Sequence, residues 1–356
     1  MKYLFIIIFI LFGNIIFAQK SLRECGTPAP VLKPVITTEM LQARDAAVLY
    51  TTPYPLKVFI IVFANDDGSS LASTEANALR QFANMRNFYQ PHNICFILTG
   101  YEVVNNSDLN DMKIDEADDM TKLNNLLVSN SITIFMHTSL YDAGGTWAGW
   151  AYNIPNHFLS VDGGTIASTT NLSLMAHEMG HCLGLLHTFE SNYGVENRAR
   201  SGACMDCDAD GDLLCDTQAD RNVDEDFIST NCVYTGSLTD ACGDALLMEE
   251  TNIMTYGRRT CREFFTTGQR GRMHTYIVTT HDSRVAENTL LVANGTISSG
   301  RANYAARNSI GFSAGTYLAN SSAKVNFSSR EITVGVGVTF APSSGYVVLR
   351  PGVYCQ

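Results

Sequence analysis

The chain has 356 residues, 46% of them hydrophobic and 17% charged, enough apolar material for packed cores in roughly two domains at ~150 residues each. That composition excludes a disordered, collagen-like or coiled-coil protein. A formal net charge of -11, from 24 basic and 35 acidic side chains, argues against a nucleic-acid binder, and ten cysteines fit an exported chain that keeps disulfides.

Lys2 precedes an apolar run from Tyr3 to Phe12, and Ala18 offers a small residue before Gln19, so residues 1–18 read as a signal peptide. Gly13-Asn14 interrupts the run, which is short for a ~30 Å hydrocarbon core, and no later segment approaches ~18 consecutive apolar residues. A secreted protein without a membrane span, extracellular or periplasmic, is expected. Residues 19–55 are punctuated by Pro28, Pro30, Pro34, Pro53 and Pro55 and read as a leader or pro-segment, with one helical patch near Glu39 to Leu49.

Leu56 to Ala64 is a continuous apolar run suited to a buried strand. Ser73 can cap a helix reaching towards Tyr89, with Ala76, Leu79, Phe82, Ala83 and Met85 as its apolar stripe. Ile94 to Val104 predicts a strand, Asp118 to Val128 a helix, and Ile132 to His137 a third strand. Gly149 to Ile154 and Phe158 to Val161 are shorter strand candidates, and Leu172 to Leu186 is a second long helix. This alternation predicts a mixed α/β layer. Cys204 to Cys261 is loop-like and rich in Asp and Cys. Beyond about Arg284, Gly, Ser, Asn and Val dominate, and a small all-β module is expected over 284–356. Within it, Ile310 to Gly315 and Val336 to Phe340 look like two turns of one repeat, too few to make a solenoid. Its expected role is either a stability cap or contact with a surface or glycan.

The chemistry lies in His177-Glu178-Met179-Gly180-His181-Cys182-Leu183-Gly184-Leu185-Leu186-His187. A helix turns about 100° per residue, so His177 and His181 share one face and can bind one zinc ion. His187 would point about 240° away on a continuing helix. It joins the metal only if the helix stops, and Gly184 permits the turn. Three neutral imidazoles leave a fourth position for water, as in a catalytic zinc site. Glu178 should point towards that water. A chance match to His-Glu-x-x-His is common; the third histidine and the glycine make this one specific. Cys182, inside the helix, reads as a free buried thiol. Trp147 and Trp150 fit either packing or the lining of a cleft.

These eleven residues resemble the metzincin signature of zinc metalloendopeptidases, whose methionine turn is matched by Asn252-Ile253-Met254-Thr255-Tyr256. The following stretch from Cys261 to Met273, with Phe265-Thr266 and Gly268-Gln269, is similar to the pappalysin family (pappalysins, ulilysin, cytophagalysin-like enzymes). Gly211-Asp212-Leu213-Leu214-Cys215-Asp216-Thr217 resembles another element of that family, with Gln218 where proline is usual. The resemblance spans about Leu56 to Ile277. It implies an α/β (α+β) zincin catalytic domain over 56–283, with a mixed, mostly parallel sheet and two long helices. It also implies hydrolysis of protein and peptide substrates by a zinc-activated water. Glu178 would be the general base, Tyr256 would stabilise the developing oxyanion, and Met254 would floor the metal site. The strand around Gly149, Trp150 and Ala151 would be the edge along which peptide lies antiparallel.

Four further expectations follow. Asp206, Asp208 and Asp210 alternate as in an oxygen-rich cation loop, although Thr217 stands where a helix-loop-helix calcium site needs Glu. A structural Ca²⁺ is expected, with Asp212, Asp216 and Thr217 implied as ligands by the resemblance. Arg23-Glu24-Cys25-Gly26-Thr27 resembles the Cys-Gly-Thr that precedes the catalytic domain in this family. Cys25 then either caps the zinc and keeps a zymogen latent, or forms a disulfide with Cys355 or Cys95. Cys204, Cys207, Cys215 and Cys232 are expected in disulfides, and Cys242 with Cys261 to brace the Met-turn. Finally, the segment after the Met-turn tyrosine is commonly acidic in such enzymes and walls the pocket for the residue following the scissile bond. Here it is Gly257-Arg258-Arg259-Thr260. That inversion favours acidic or neutral residues over Arg or Lys, unless both arginines face solvent. The alternatives from other classes are a catalytically idle, zinc-bearing adhesin and a hydrolase of non-peptide bonds.

Overall fold

The computed structural model describes residues 22–38, 42, 53–222, 227–320, 322–343 and 345–351. The signal-peptide reading over 1–18 lies outside the described residues, as does nearly all of the helical patch over 39–49. In chain order the first part contains strand β1 (Leu22–Cys25), β2 (Tyr54–Ala64), helix α1 (Glu75–Tyr89), β3 (Ile94–Asn105), the short α2 (Ser107–Asn110) and β4 (Asp111–Lys113). Then come α3 (Ala117–Asn124), β5 (Ile132–His137), β6 (Ser139–Asp142), β7 (Gly145–Trp150), β8 (Phe158–Asp162), α4 (Gly163–Ala167), α5 (Leu174–Cys182) and α6 (Thr267–Thr279).

The sheet order is β3-β2-β5-β8-β7-β6-β4, with β1 paired to β7. Only the β6–β7 and β7–β8 pairs are antiparallel. Burial on both faces explains why β2 is continuously apolar from Val58 to Ala64. Leu56, Val58, Ile60 and Val62 feed one core, with α1 and α5, while Phe59, Ile61 and Phe63 feed the other, with Leu109 and Leu123. Each such side chain contributes about 1.5–3 kcal/mol on full burial, so this strand anchors both layers.

Several elements differ from the expected ones. Thr74 rather than Ser73 caps α1, accepting from Asn77 N at 3.2 Å. The expected strand Gly149 to Ile154 is β7, shifted to Gly145–Trp150. Helix α5 ends at Cys182, short of Leu186, because Gly184 takes φ +88°. A Cβ there would also strike the Tyr276 ring.

The C-terminal region holds β9 (Glu287–Val292), β10 (Gly295–Ile297), β11 (Arg301–Phe312), β12 (Gly315–Ala319), β13 (Lys324–Ser329), β14 (Glu331–Thr333), β15 (Val338–Pro342) and β16 (Tyr346–Pro351). Every pair among them is parallel. Arg301 pairs with Lys324 and Lys324 with Tyr346, so successive rungs advance by 23 and then 22 residues. This is a short solenoid, which corrects the view that two repeats were too few. Phe312, Tyr317, Phe327 and Phe340 pack together inside it, and Asn326 Nδ2 donates to Asn303 Oδ1 on the neighbouring rung at 2.9 Å. The module docks on β3 through Glu102, which pairs with Arg301 at 2.7 Å and with Lys324. Strand β3 ends the sheet order far from β7.

Candidate metal centre and cleft

Helix α5 is buried along its whole length. His177 Nδ1 lies 2.7 Å from Ile253 O, and His181 Nδ1 lies 2.8 Å from Leu185 O. A carbonyl only accepts, so each Nδ1 carries the proton and each Nε2 presents a lone pair. After Cys182 the chain turns, with Gly184 N donating to His181 O and Leu185 N to Gly180 O, and brings His187 back. His181 Nε2 then lies 3.2 Å from His177 Nε2 and 3.1 Å from His187 Nε2. Burial holds all three imidazoles well below their ordinary pKa, His181 at about 4, which keeps them neutral.

The fourth member is Cys25. Its Sγ is 3.6 Å from His181 Nε2, and the four donor atoms lie within 4.8 Å of one another. The thiol is free, which sets aside the disulfide alternative for this residue. Convergent nitrogen lone pairs completed by sulfur form a donor set that suits zinc.

Glu178 is fully buried beside this cluster, where Oε2 accepts from Cys25 Sγ at 3.4 Å and Thr27 Oγ1 at 3.1 Å. Oε1 has no partner. Burial pushes this carboxyl up to about 8. Gly149 lets it approach β7, since a Cβ would occupy the space of its side chain. Met254 is buried beneath Gly180, and Tyr256 Oη donates to Cys25 O at 2.8 Å, with its ring 4.9 Å from that of His187. The leader strand β1 lies along β7: Leu22 pairs with Thr146, Arg23 with Trp147 and Cys25 with Gly149, in parallel. Gly26 N donates to Gly149 O at 2.9 Å, and Ala151 N donates to Thr27 Oγ1 at 2.7 Å. Thus Gly149, Trp150 and Ala151 border the occupied cleft.

Residues 61–226 match a family model described as metallo-peptidase family M12. An extracellular metalloprotease of Neurospora crassa is 29% identical over 71% of this chain and 87% of its own length, and one of Verticillium alfalfae is 26% identical over 72% and 89%. The chain is a zinc metalloendopeptidase. Among solved structures, mature mirolysin of Tannerella forsythia in complex with a cleaved peptide is similar with a TM-score of 0.47 at 18% identity, covering 66% of this chain and 96% of that one. The peptidase match leaves the idle-adhesin alternative without support.

Other sequence-derived residues of the metalloendopeptidase are placed differently. Cys242 pairs with Cys204, and Cys261 with Cys232, so the expected Cys242–Cys261 bond is corrected; Cys207 pairs with Cys215. The physical reason is a local hairpin. Ile228 bridges Tyr234 and accepts from Arg258 Nε at 3.0 Å, which brings Cys232, not Cys242, beside the Met-turn. Asp206, Asp208 and Asp210 do not gather round a common point. Asp206 accepts from Asn197 N and Nδ2, Asp208 is exposed, and Asp210 packs beside Gly194. Asp216 instead receives Thr266 Oγ1 at 3.0 Å and Gly268 N at 2.5 Å, at the start of α6. Asp212 is buried, taking Thr217 Oγ1 and Leu214 N on Oδ1.

Sequence reasoning left the roles of four residues unassigned. Asp220 Oδ2 receives both Thr188 Oγ1 (2.6 Å) and Thr255 Oγ1 (3.0 Å), tying the residue after His187 to the residue after Met254. Asn252 and Gln269 exchange amide hydrogen bonds of 2.9 and 3.0 Å, pinning the Met-turn to α6. Arg262 is buried and donates to Gly257 O and to Glu24 of the leader. The Gly268-Gln269 pair was visible as a motif; Asp220 and Arg262 carry no spacing that marks them.

Proposed function

We propose that this metalloendopeptidase is an extracellular enzyme made as a latent precursor, with Glu178 as general base and Cys25 as the group that blocks the metal. The observation that carries the reading is the convergence of three imidazole nitrogens and the leader's thiol, with a buried carboxylate alongside. The relatives named as extracellular and the three disulfides among described cysteines support that location.

Bound zinc would polarise the scissile carbonyl and lower the pKa of a water to about 7. His177, His181 and His187 would hold it. Glu178 takes a proton from the attacking water and hands it to the leaving amine. Tyr256, now donating to the Cys25 carbonyl, donates to the substrate oxygen on which charge develops. Strand β7 pairs with substrate backbone running antiparallel. The leader runs parallel to β7, so it fills the cleft without presenting a peptide bond in that sense. The protein should bind one zinc per chain, and His187→Ala should weaken binding by orders of magnitude with the disulfides intact. Undiminished zinc binding by that variant would contradict the assignment.

A structural calcium deepens the reading. Glu196 Oε2 and Asp212 Oδ2 are buried without hydrogen-bond partners. Burial, then the Asp212 charge, pushes Glu196 up to about 8; burial pushes Asp212 up to about 7. Both folded values lie above the ordinary carboxyl range, so without a cation their stability contribution is full at low pH and lost as pH rises through about 7 to 8. A hard cation held by Asp212, Glu196 and Thr217 removes that loss. EGTA-treated protein should therefore melt at lower temperature at pH 8 than at pH 6. Calcium at ~100 Kd should raise Tm at pH 8 by ~5–10 °C, and much less at pH 5. An unchanged Tm at pH 8 would count against the site.

A further inference from the structure

The leader carries a second side chain into the cleft. Glu24, 17% exposed, sits between two arginines: Oε2 accepts from Arg262 Nη1 at 3.1 Å, and Oε1 accepts from Arg259 Nε. The Arg262 side chain is 1% exposed. Its Nε and Nη2 donate to Gly257 O at 3.0 and 2.7 Å, which leaves Nη1 aimed at Glu24. The Cys232–Cys261 disulfide fixes the adjoining residue. Thus the guanidinium is positioned by the enzyme's own backbone, one residue past the Met-turn tyrosine, and the leader supplies only the anion. Arg258 turns to Ile228 O instead. The pair facing the cleft is Arg259 and Arg262, which corrects the sequence-derived pair Arg258 and Arg259.

Strand direction says what Glu24 stands for. Cys25 is level with Gly149 and Arg23 with Trp147, so the residue before Cys25 lies towards the start of β7. A substrate running the opposite way, with its scissile carbonyl at the place of Cys25, presents the residue after the scissile bond to that same end. When the leader leaves, a buried guanidinium loses its carboxylate, and an incoming carboxylate restores the pairing. The geometry points to an anion-receiving subsite, formed by Arg259 and Arg262, that selects Glu or Asp immediately after the scissile bond. Glu24 is its built-in occupant in the leader-bound protein. This rests on the endopeptidase reading above and names its substrate class.

The test uses the full chain, folded with zinc and then nicked ahead of Tyr54 to release the leader. A peptide series varies only the residue after the scissile bond among Glu, Gln, Leu and Arg. The expected kcat/KM for Glu exceeds Gln by ~10-fold and Arg by ~100-fold, and Arg262→Gln and Arg259→Gln each flatten the series. Arg259→Gln, at the more exposed arginine, covers the case in which Arg262→Gln fails to fold. In parallel, calorimetric titration with a peptide of residues 22–28 should weaken ~10-fold on Glu24→Gln. Cleavage that is best before Arg, or equal for Glu and Arg, overturns the subsite and leaves the endopeptidase standing. If no peptide is cut although zinc is bound, the endopeptidase reading falls. Equal binding of the Glu24→Gln peptide would then overturn the subsite independently.

Discussion

Glu178→Gln in the activated protein should lower kcat on a peptide substrate by ~10²–10⁴-fold while KM and zinc stoichiometry stay close to wild type. The substitution keeps the volume against Gly149 and removes only the proton acceptor. Because Glu178 is fully buried with Oε1 unpartnered, its charge stabilises nothing in the fold, and Tm should hold or rise. Parallel kinetics and a melting curve on one preparation check both halves. A loss of activity accompanied by lost zinc would show a structural role instead.

Cys25→Ala in the full chain should raise activity before leader removal by ~10²-fold, equivalent to about 3 kcal/mol of lost leader affinity. Among the described residues, the thiol is the only leader atom in the metal-site donor set. What remains is the β1–β7 pairing, Tyr256 on the Cys25 carbonyl, and Glu24 between its arginines. These contacts are not a metal ligand, so the variant leader exchanges on and off and substrate competes. Active-site titration of intact protein, with gel analysis to show the leader still attached, reads this directly. Latency unchanged in Cys25→Ala would assign the block to the strand pairing alone.

The metal centre was legible because its spacing encodes geometry. His177 and His181 share a helix face by periodicity, and Gly184 announces the turn that His187 needs. Strands β2 and β5 were legible because burial on both faces demands continuous apolar runs. What escaped was set by long-range contact. Arg262 and Arg258 look alike in sequence; only the hairpin at Ile228 decides which one turns away from the cleft. The expected Cys242–Cys261 bond failed for the same reason, because the hairpin places Cys232 beside Cys261. The acidic loop misled because alternation of Asp resembles a cation loop, while Asp216 serves the start of α6 and Glu196, outside the run, supplies the second buried carboxylate. The solenoid was only half visible. Its rungs conserve size and direction rather than a motif, so Phe327 and Phe340 line one core without sharing flanking residues.

The most direct test of the account is mass-spectrometric mapping of casein digested by the activated protein, before chelation, after it, and after zinc is restored. Internal peptide bonds cut in the first digest, spared in the second and cut again at the same positions in the third are the predicted result. Internal cleavage that persists without metal, or its absence from all three digests, would contradict a zinc-dependent endopeptidase built on His177, His181 and His187.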